Sequence, residues 1–250
     1  MLESVTGDAY NSARLAAVSA PHSGDWLHAL PIASCGLKLD NEAIRVAVGL
    51  RLGVDLCISH NCPCGLLVDT KGSHSLSCKL ACGRMIRHFH LNDVIYRALA
   101  SADIPASKEP SGLLRSDGKR PDGLTLIPWQ AGRSLTWDVT VSHTAASSYL
   151  SNVAATAGGV AEMAAERKRE KYVELEKSYI FQPISFETFG PINSSGHSFI
   201  SEIGRCILQF LAMCVKPPFY INVYLSLCNV SMLLLFADVL LLQTWTRNHS

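Results

Sequence analysis

A chain of 250 residues is enough for one ordinary domain with appendages. The net charge of +1 excludes little, but its distribution is uneven: residues 79–133 carry nine Lys/Arg against five Asp/Glu, with His88 and His90 in addition. That stretch favours an anionic partner such as nucleic acid, or forms a solvated basic face. The nine cysteines are an odd count, five of them lie from Cys57 to Cys82, and "MLESVTGDAYNSARLAAVSAP" has no apolar signal region; a reducing compartment is expected and a disulfide framework is not.

In chain order, residues 1–56 read as linker followed by one helix. Residues 1–38 show no regular pattern, and "HSGDWLHALP" reads as turn and loop. "LDNEAIRVAVGLRLG" predicts a helix capped by Asp40 or Asn41, with Glu42 in its first turn and Gly53 at its end. Residues 57–82 are short and rich in turns. Here Cys62, Cys64, His74 and Cys78 form C-x-C-x9-H-x3-C, two close ligands, a loop of nine, then two more. Thiolate and imidazole suit tetrahedral zinc, Gly65 and Gly72 can supply sharp turns, and a segment this short needs a metal to hold it together. Cys57, His60 and Cys82 are substitute ligands, and free buried cysteines beside a surface histidine are the plain alternative. Four protein ligands would close the site, making it structural.

From residue 83 to 205 the pattern predicts a mixed α/β core. "GRMIRHFHLNDVIYRALASA" reads as a helix with Met85, Phe89, Ile95 and Leu99 on its apolar face. Three strands follow, "ASKEPSGLL", "RPDGLTLI" and "SLTWDVTV", the last two joined by a hairpin at "PWQAGR". A second helix, "GVAEMAAERKREKYVELEKSY", and a fourth strand, "IFQPISFET", complete the order helix, three strands, helix, strand. Residues 206–250 form an apolar tail in which 219–237 is uncharged and long enough to cross a bilayer, although Asn222, Asn229 and several serines make it a poor span. It reads as a buried helix, a weak membrane helix or unrelated sequence.

Two acids stand out in the strands. In "SLTWDVTV", Leu135, Trp137, Val139 and Val141 alternate onto one face and Asp138 and Thr140 onto the other. A hairpin centred near Gln130 places Asp122 opposite Asp138, about 4.5–5.5 Å apart at Cβ. Two carboxylates that close need a proton or a divalent cation between them, and hard oxygens suit Mg²⁺ or Mn²⁺; the plain alternative is a pair of solvated edge acids. Glu109, on the preceding strand, is a further candidate ligand or an exposed loop residue. Nucleases of the restriction-enzyme type often place a lysine two positions after the second acid. Here Thr140 stands there. On a wheel of about 100° per residue, Lys168 is central on the face that carries Ala161, Ala164, Tyr172, Leu175 and Tyr179, and Lys171 falls at about 60°. Either a snorkelling lysine or the missing catalytic cation would account for it.

Together "CPCG…GSHSLSC", "RHFHLNDVI", "EPSGL", "KRPDG", "WDVTV", "AERKREKY" and "FETFG" resemble the C-terminal region of certain non-long-terminal-repeat retrotransposon polyproteins, from about Trp26 to Glu202. Those carry a restriction-like endonuclease after the reverse transcriptase, preceded by a cysteine–histidine knuckle. The resemblance implies a restriction-endonuclease-like α/β core and a DNA-nicking, metal-dependent enzyme. The paired acids would be Asp122 and Asp138, the displaced lysine Lys168 or Lys171, and the zinc ligands Cys62, Cys64, His74 and Cys78. It also implies DNA and element RNA as partners, Arg87, His88, Lys119 and Arg120 as nucleic-acid contacts, and a nuclear location. There is no Y-x-D-D motif and no room for a polymerase, so the chain would be a fragment of such a polyprotein or a gene derived from one. An inactive nucleic-acid-binding remnant and a membrane-associated product of a decayed element are the alternatives.

Overall fold

The structure, a computed structural model, describes residues 2–28, 38–80, 83–145 and 156–214. Its centre is a four-stranded mixed sheet in the order β3 (Ala106–Lys108), β4 (Gly123–Thr125), β5 (Leu135–Ser142), β6 (Ile180–Glu187). The first three strands are antiparallel, and β5 and β6 run parallel from Leu135↔Ile180 to Ser142↔Glu187. A parallel pair needs a crossover, which helix α5 (Gly159–Tyr172) supplies on one face of the sheet. Helices α4 (Gly83–Ser101) and α6 (Ser194–Cys214) cover the other face. The predicted order of helix, three strands, helix and strand is the one observed, with α6 added after it.

The main core lies between the sheet and α4 and α6. Leu135, Trp137 and Val139 of β5 point into it with Ile184 and Phe186 of β6, and meet Leu91, Ile95 and Leu99 from α4 and Phe199, Ile203 and Ile207 from α6. The alternation along β5 is therefore as its pattern predicts. Trp137 lies across Gly123, where a Cβ would come within 1.9 Å of the ring. Only glycine lets β4 pass that close to the indole. The β4–β5 connection closes on Ala131 and Gly132, both left-handed, with the Arg133 amide donating to the Gln130 carbonyl at 3.0 Å. That tight two-residue turn matches the twist of the strands.

Several expectations are corrected. Residues 2–18 form a helix, α1 (Leu2–Val18), whose Ala17 packs with Leu76 and Phe189, so the amino-terminal region is docked on the core and is not a linker. Arg51, at the end of α2 (Asn41–Leu52), binds the carbonyls of Val18, Ser23 and Phe189 and ties these segments together. Asp40 does cap α2, accepting from the Ala43 amide, and left-handed Gly53 ends it. The first two strands of the sheet are shorter than predicted, and Ser111–Leu113 is a single 3₁₀ turn. Met85 and Phe89 face outward, 78% and 62% exposed, because the inward side of α4 is built from Arg87, Leu91, Asn92, Ile95 and Leu99. Finally, α6 runs through the boundary expected at 205/206, and Ile207 is 4% exposed in the core. No helix among the described residues is long and apolar enough to cross a membrane. The stretch 219–237 and the rest of the expected tail after 214 lie outside the described residues.

Two outcomes follow from this packing. A chain ended after Arg205 should be less stable than one ended after Cys214 by about 2–5 kcal/mol, from loss of Ile207 and its cavity, read from urea unfolding midpoints. His143 is buried against Tyr10 and Phe189 with its Nδ1 on the Thr188 hydroxyl, and burial pushes its pKa from 6.5 down to about 3. Between those values the unfolded chain binds a proton that the folded chain does not, so stability is complete above the upper value and falls as the pH is lowered through the window, by a few kcal/mol. His143→Phe, which keeps the ring contacts, should flatten that acid slope when unfolding midpoints are compared at about pH 7 and about pH 4.5.

Candidate active site and metal centre

The turn-rich segment folds as a short antiparallel hairpin, β1 (His60–Asn61) and β2 (Leu67–Val68), followed by the one-turn helix α3 (His74–Ser77). Cys62 and Cys64 lie in the hairpin turn, which left-handed Gly65 closes. His74 opens α3 and Cys78 follows it, its amide on the His74 carbonyl at 2.9 Å. The ligand atoms of Cys62, Cys64, His74 and Cys78 all lie within 4.8 Å of one another. The Cys62 and Cys78 sulfurs are 3.7 Å apart, and Cys64 Sγ is 3.1 Å from His74 Nε2. A tetrahedral ion with Zn–S near 2.3 Å has sulfur–sulfur edges of about 3.8 Å, so the group can hold a metal ion such as zinc. Among the described residues it is the one group of three or more such ligands that converges so closely. The substitutes are not needed: Cys57 Sγ rests on the Asp69 carbonyl, and the His60 ring is turned to the Ile58 carbonyl. Cys82 lies outside the described residues.

The two strand acids meet on the α5 side of the sheet. Asp122 stands just before β4, and the register continued one step from Gly123↔Trp137 sets it against Asp138. Its amide donates to the Trp137 carbonyl at 2.9 Å while its own Oδ2 accepts from the Val139 amide at 2.6 Å, so Asp122 straddles Asp138. The Asp122 carbonyl is held by the Glu109 amide and by Asn92 Nδ2, and Asn92 Oδ1 also accepts from the Trp137 indole.

Lys168 reaches this place from α5. Its Nζ lies 2.5 Å from Asp138 Oδ1, with the lysine side chain 25% exposed. The helical period that puts Lys168 on the inward face thus brings it onto the strand acid. Burial and the charge of Asp122 push the Asp138 carboxyl up against the pull of Lys168. Lys171 does not join the acids: its Nζ donates to the Tyr172 hydroxyl and lies 4.2 Å from that ring's centroid. Burial, together with the charge of Lys168, lowers its pKa.

The remaining expected residues lie as follows. Glu109 is left-handed and exposed, and pairs with Arg120, so its carboxylate is not brought to Asp122. Arg87 is buried and donates to the Leu76 carbonyl at 3.1 Å, which removes it from any nucleic-acid surface. Lys119 is exposed. His88, expected as a nucleic-acid contact, has its Nε2 3.1 Å from Asp122 Oδ2, and that bond raises its pKa despite burial. Tyr172, fully buried, donates its hydroxyl to the Arg120 carbonyl and closes the floor of the site; burial and then the nearby Asp138 charge push its phenol up. Sequence reasoning placed Tyr172 on the inward face without a role and missed His88 as the partner of Asp122. The spacing of His88 and Asn92, one turn apart on α4, was the available signal. The Thr140 hydroxyl, on the same face as Asp138, is buried with no hydrogen-bond partner among the described residues.

Comparison of the sequence with protein-family models and with curated proteins finds no match.

The knuckle geometry has a direct check. The purified chain is expected to carry about one zinc per molecule by elemental analysis. Cys78→Ser should lose it and open the hairpin to proteolysis, while the cooperative unfolding of the sheet core persists. A wild-type protein without bound metal would overturn the assignment.

Proposed function

We propose that this chain carries a metal-dependent DNA endonuclease of the restriction-like type, derived from a non-long-terminal-repeat retrotransposon polyprotein and lacking its polymerase. The observation that carries the reading is Lys168 on Asp138, with Asp122 set against that aspartate from the neighbouring strand. It restores, from a helix, the cation that Thr140 cannot supply in the strand. The sequence resemblance agrees with it, the same residues carrying its motifs.

In this reading Asp122 and Asp138 hold Mg²⁺ or Mn²⁺, for which hard carboxylate oxygens are fitting donors. Such an ion, when bound, activates water and neutralises charge at a scissile phosphate. The chain's own residues do the rest. The ammonium of Lys168, held in place by α5, sits where it can pair with a phosphate oxygen as charge builds there. Tyr172 and the core beneath it keep water from the inner side of Asp138. His88 orients the Asp122 carboxylate through Nε2. The Cys62/Cys64/His74/Cys78 group holds a structural zinc, and DNA, with element RNA, is the partner. A DNA substrate places the enzyme in the nucleus.

A plasmid-nicking assay with Mg²⁺ or Mn²⁺ against EDTA tests the reading. Asp138→Asn should abolish nicking. Lys168→Ala should reduce it by about 10²–10³-fold, the range for loss of one preorganised charge-stabilising group. The same change strips a buried carboxylate of its partner, so a lower melting temperature is expected as well. Lys171→Ala should have the smaller effect. Wild-type nicking by both lysine variants beside a dead Asp138→Asn would remove the lysine from the mechanism. No nicking with either metal would leave the inactive, nucleic-acid-binding remnant.

A further inference from the structure

The amino-terminal half of α4 breaks the usual order of a surface helix. Its buried side carries a charged and an amide residue, Arg87 and Asn92, while Met85 and Phe89 point into solvent one turn apart. A large exposed aromatic is not needed by the core, and among the described residues Phe89 belongs to none of the apolar clusters. Nor does it stand in a plainly apolar patch. Lys108, from the neighbouring β3, pairs with Asp93, an acid it shares with Arg97, and holds its ammonium 5.5 Å from the Phe89 ring centroid and 4.9 Å from that of Tyr96, two turns further along the helix. Arg84 is exposed on the turn before, and His90 meets the Phe89 ring edge-on at 5.7 Å between centroids. Phe89 is also the residue after His88, whose ring touches Asp122. The exposed ring thus stands one helix position from the residue that reaches the candidate site.

An exposed ring beside cations is what unpaired nucleic acid takes: every base has a flat face to stack, and the adjoining phosphates take the positive charge. A protein partner would call for a wider apolar groove, and a paired duplex offers no base face from its side. We infer that Phe89, with Met85 beneath it, is a stacking platform for an unpaired base of single-stranded DNA next to the cut site. The flanking phosphates meet exposed Arg84 and the positive charge that Lys108 and Arg97 keep in excess over the one acid they share, Asp93. This deepens the endonuclease reading and rests on it for the place of the base relative to the cut. The platform itself would bind without any cutting. It gives such an enzyme a preference for DNA that is opened or frayed at its target, because the cost of unstacking has already been met there.

The experiment separates the two. Binding of the full chain to a fluorescent single-stranded DNA oligonucleotide, and to the same sequence as a duplex, is measured by anisotropy in EDTA, where no cutting takes place. Phe89→Ala is expected to weaken single-strand binding by about tenfold, the effect of one lost base–aromatic stack, with the duplex affinity nearly unchanged. Phe89→Tyr should bind as the wild type does, and Phe89→Leu, apolar but without a flat face, should behave as Phe89→Ala. Because Phe89 is exposed, unfolding will not confound these variants, and melting temperatures within about 1–2 °C of wild type would document that. Equal single-strand affinity for all four proteins would overturn the inference, as would equal losses on single strand and duplex. It would also fall if Phe89→Ala changed only the sedimentation of the chain, which would make the face a contact between copies. A chain that binds single strands through Phe89 but never nicks with Mg²⁺ or Mn²⁺ would sustain the platform and sink the endonuclease reading.

Discussion

Asp138 stands in the middle of β5 with 3% of its surface exposed, and a carboxylate so placed is costly unless charge and hydrogen-bond donors come to it. The chain meets that requirement from both sides of the sheet's α5 face. Lys168 arrives from the crossover helix, and Asp122 arrives from the next strand with its own partner, His88. The parallel pairing of β5 with β6 forces the crossover, and the crossover passes over the strand that holds the acid. Gly123 lets the Trp137 ring fold across β4, and Asn92 bonds both that indole and the Asp122 backbone. The apolar core on one face of β5 and the charged site on the other are thus held by the same few residues.

The knuckle depends on the core in a different way. Its two short strands and single turn of helix bury Val68 and Leu76 and little else of size. Leu76 packs with Ala17 of α1 and Phe189 beyond β6, and its carbonyl takes a hydrogen bond from buried Arg87. Arg87 is followed by His88, which touches Asp122, so a single turn of α4 joins the cysteine–histidine group to the strand acids. The amino-terminal helix, far from being a tether, is one of the surfaces on which the knuckle sits.

Much of this was legible in the residues. Period-two alternation in residues 135–141 gave the strand and its inward face, because successive side chains of a strand must point to opposite sides. A hairpin symmetric about Gln130 set Asp122 against Asp138, and the 3.6-residue helical period turned Lys168 inward; both are local geometry, fixed over short stretches of chain. The spacing of Cys62, Cys64, His74 and Cys78 is likewise local, since a small loop has few ways to close four ligands on a point. Other features depended on partners distant in sequence. Residues 83–101 have apolar side chains on every side, so periodicity could not tell that Met85 and Phe89 face out while Arg87 and Asn92 face in; the positions of Leu76 and Trp137 decide it. Residues 2–18 carry no strong pattern, and their helix is held by contacts with Leu76 and Phe189. Which of Lys168 and Lys171 meets the acid, and that Glu109 turns to Arg120, depend on where α5 and the loop after β3 come to rest. Sequence alone indicated α2, α4, α5, the strands of the sheet and the spacing of the cysteine–histidine group, but neither α1 nor α6. Tertiary structure decided which side chains of those elements meet, because that is set by the distance and tilt between elements that no local period encodes.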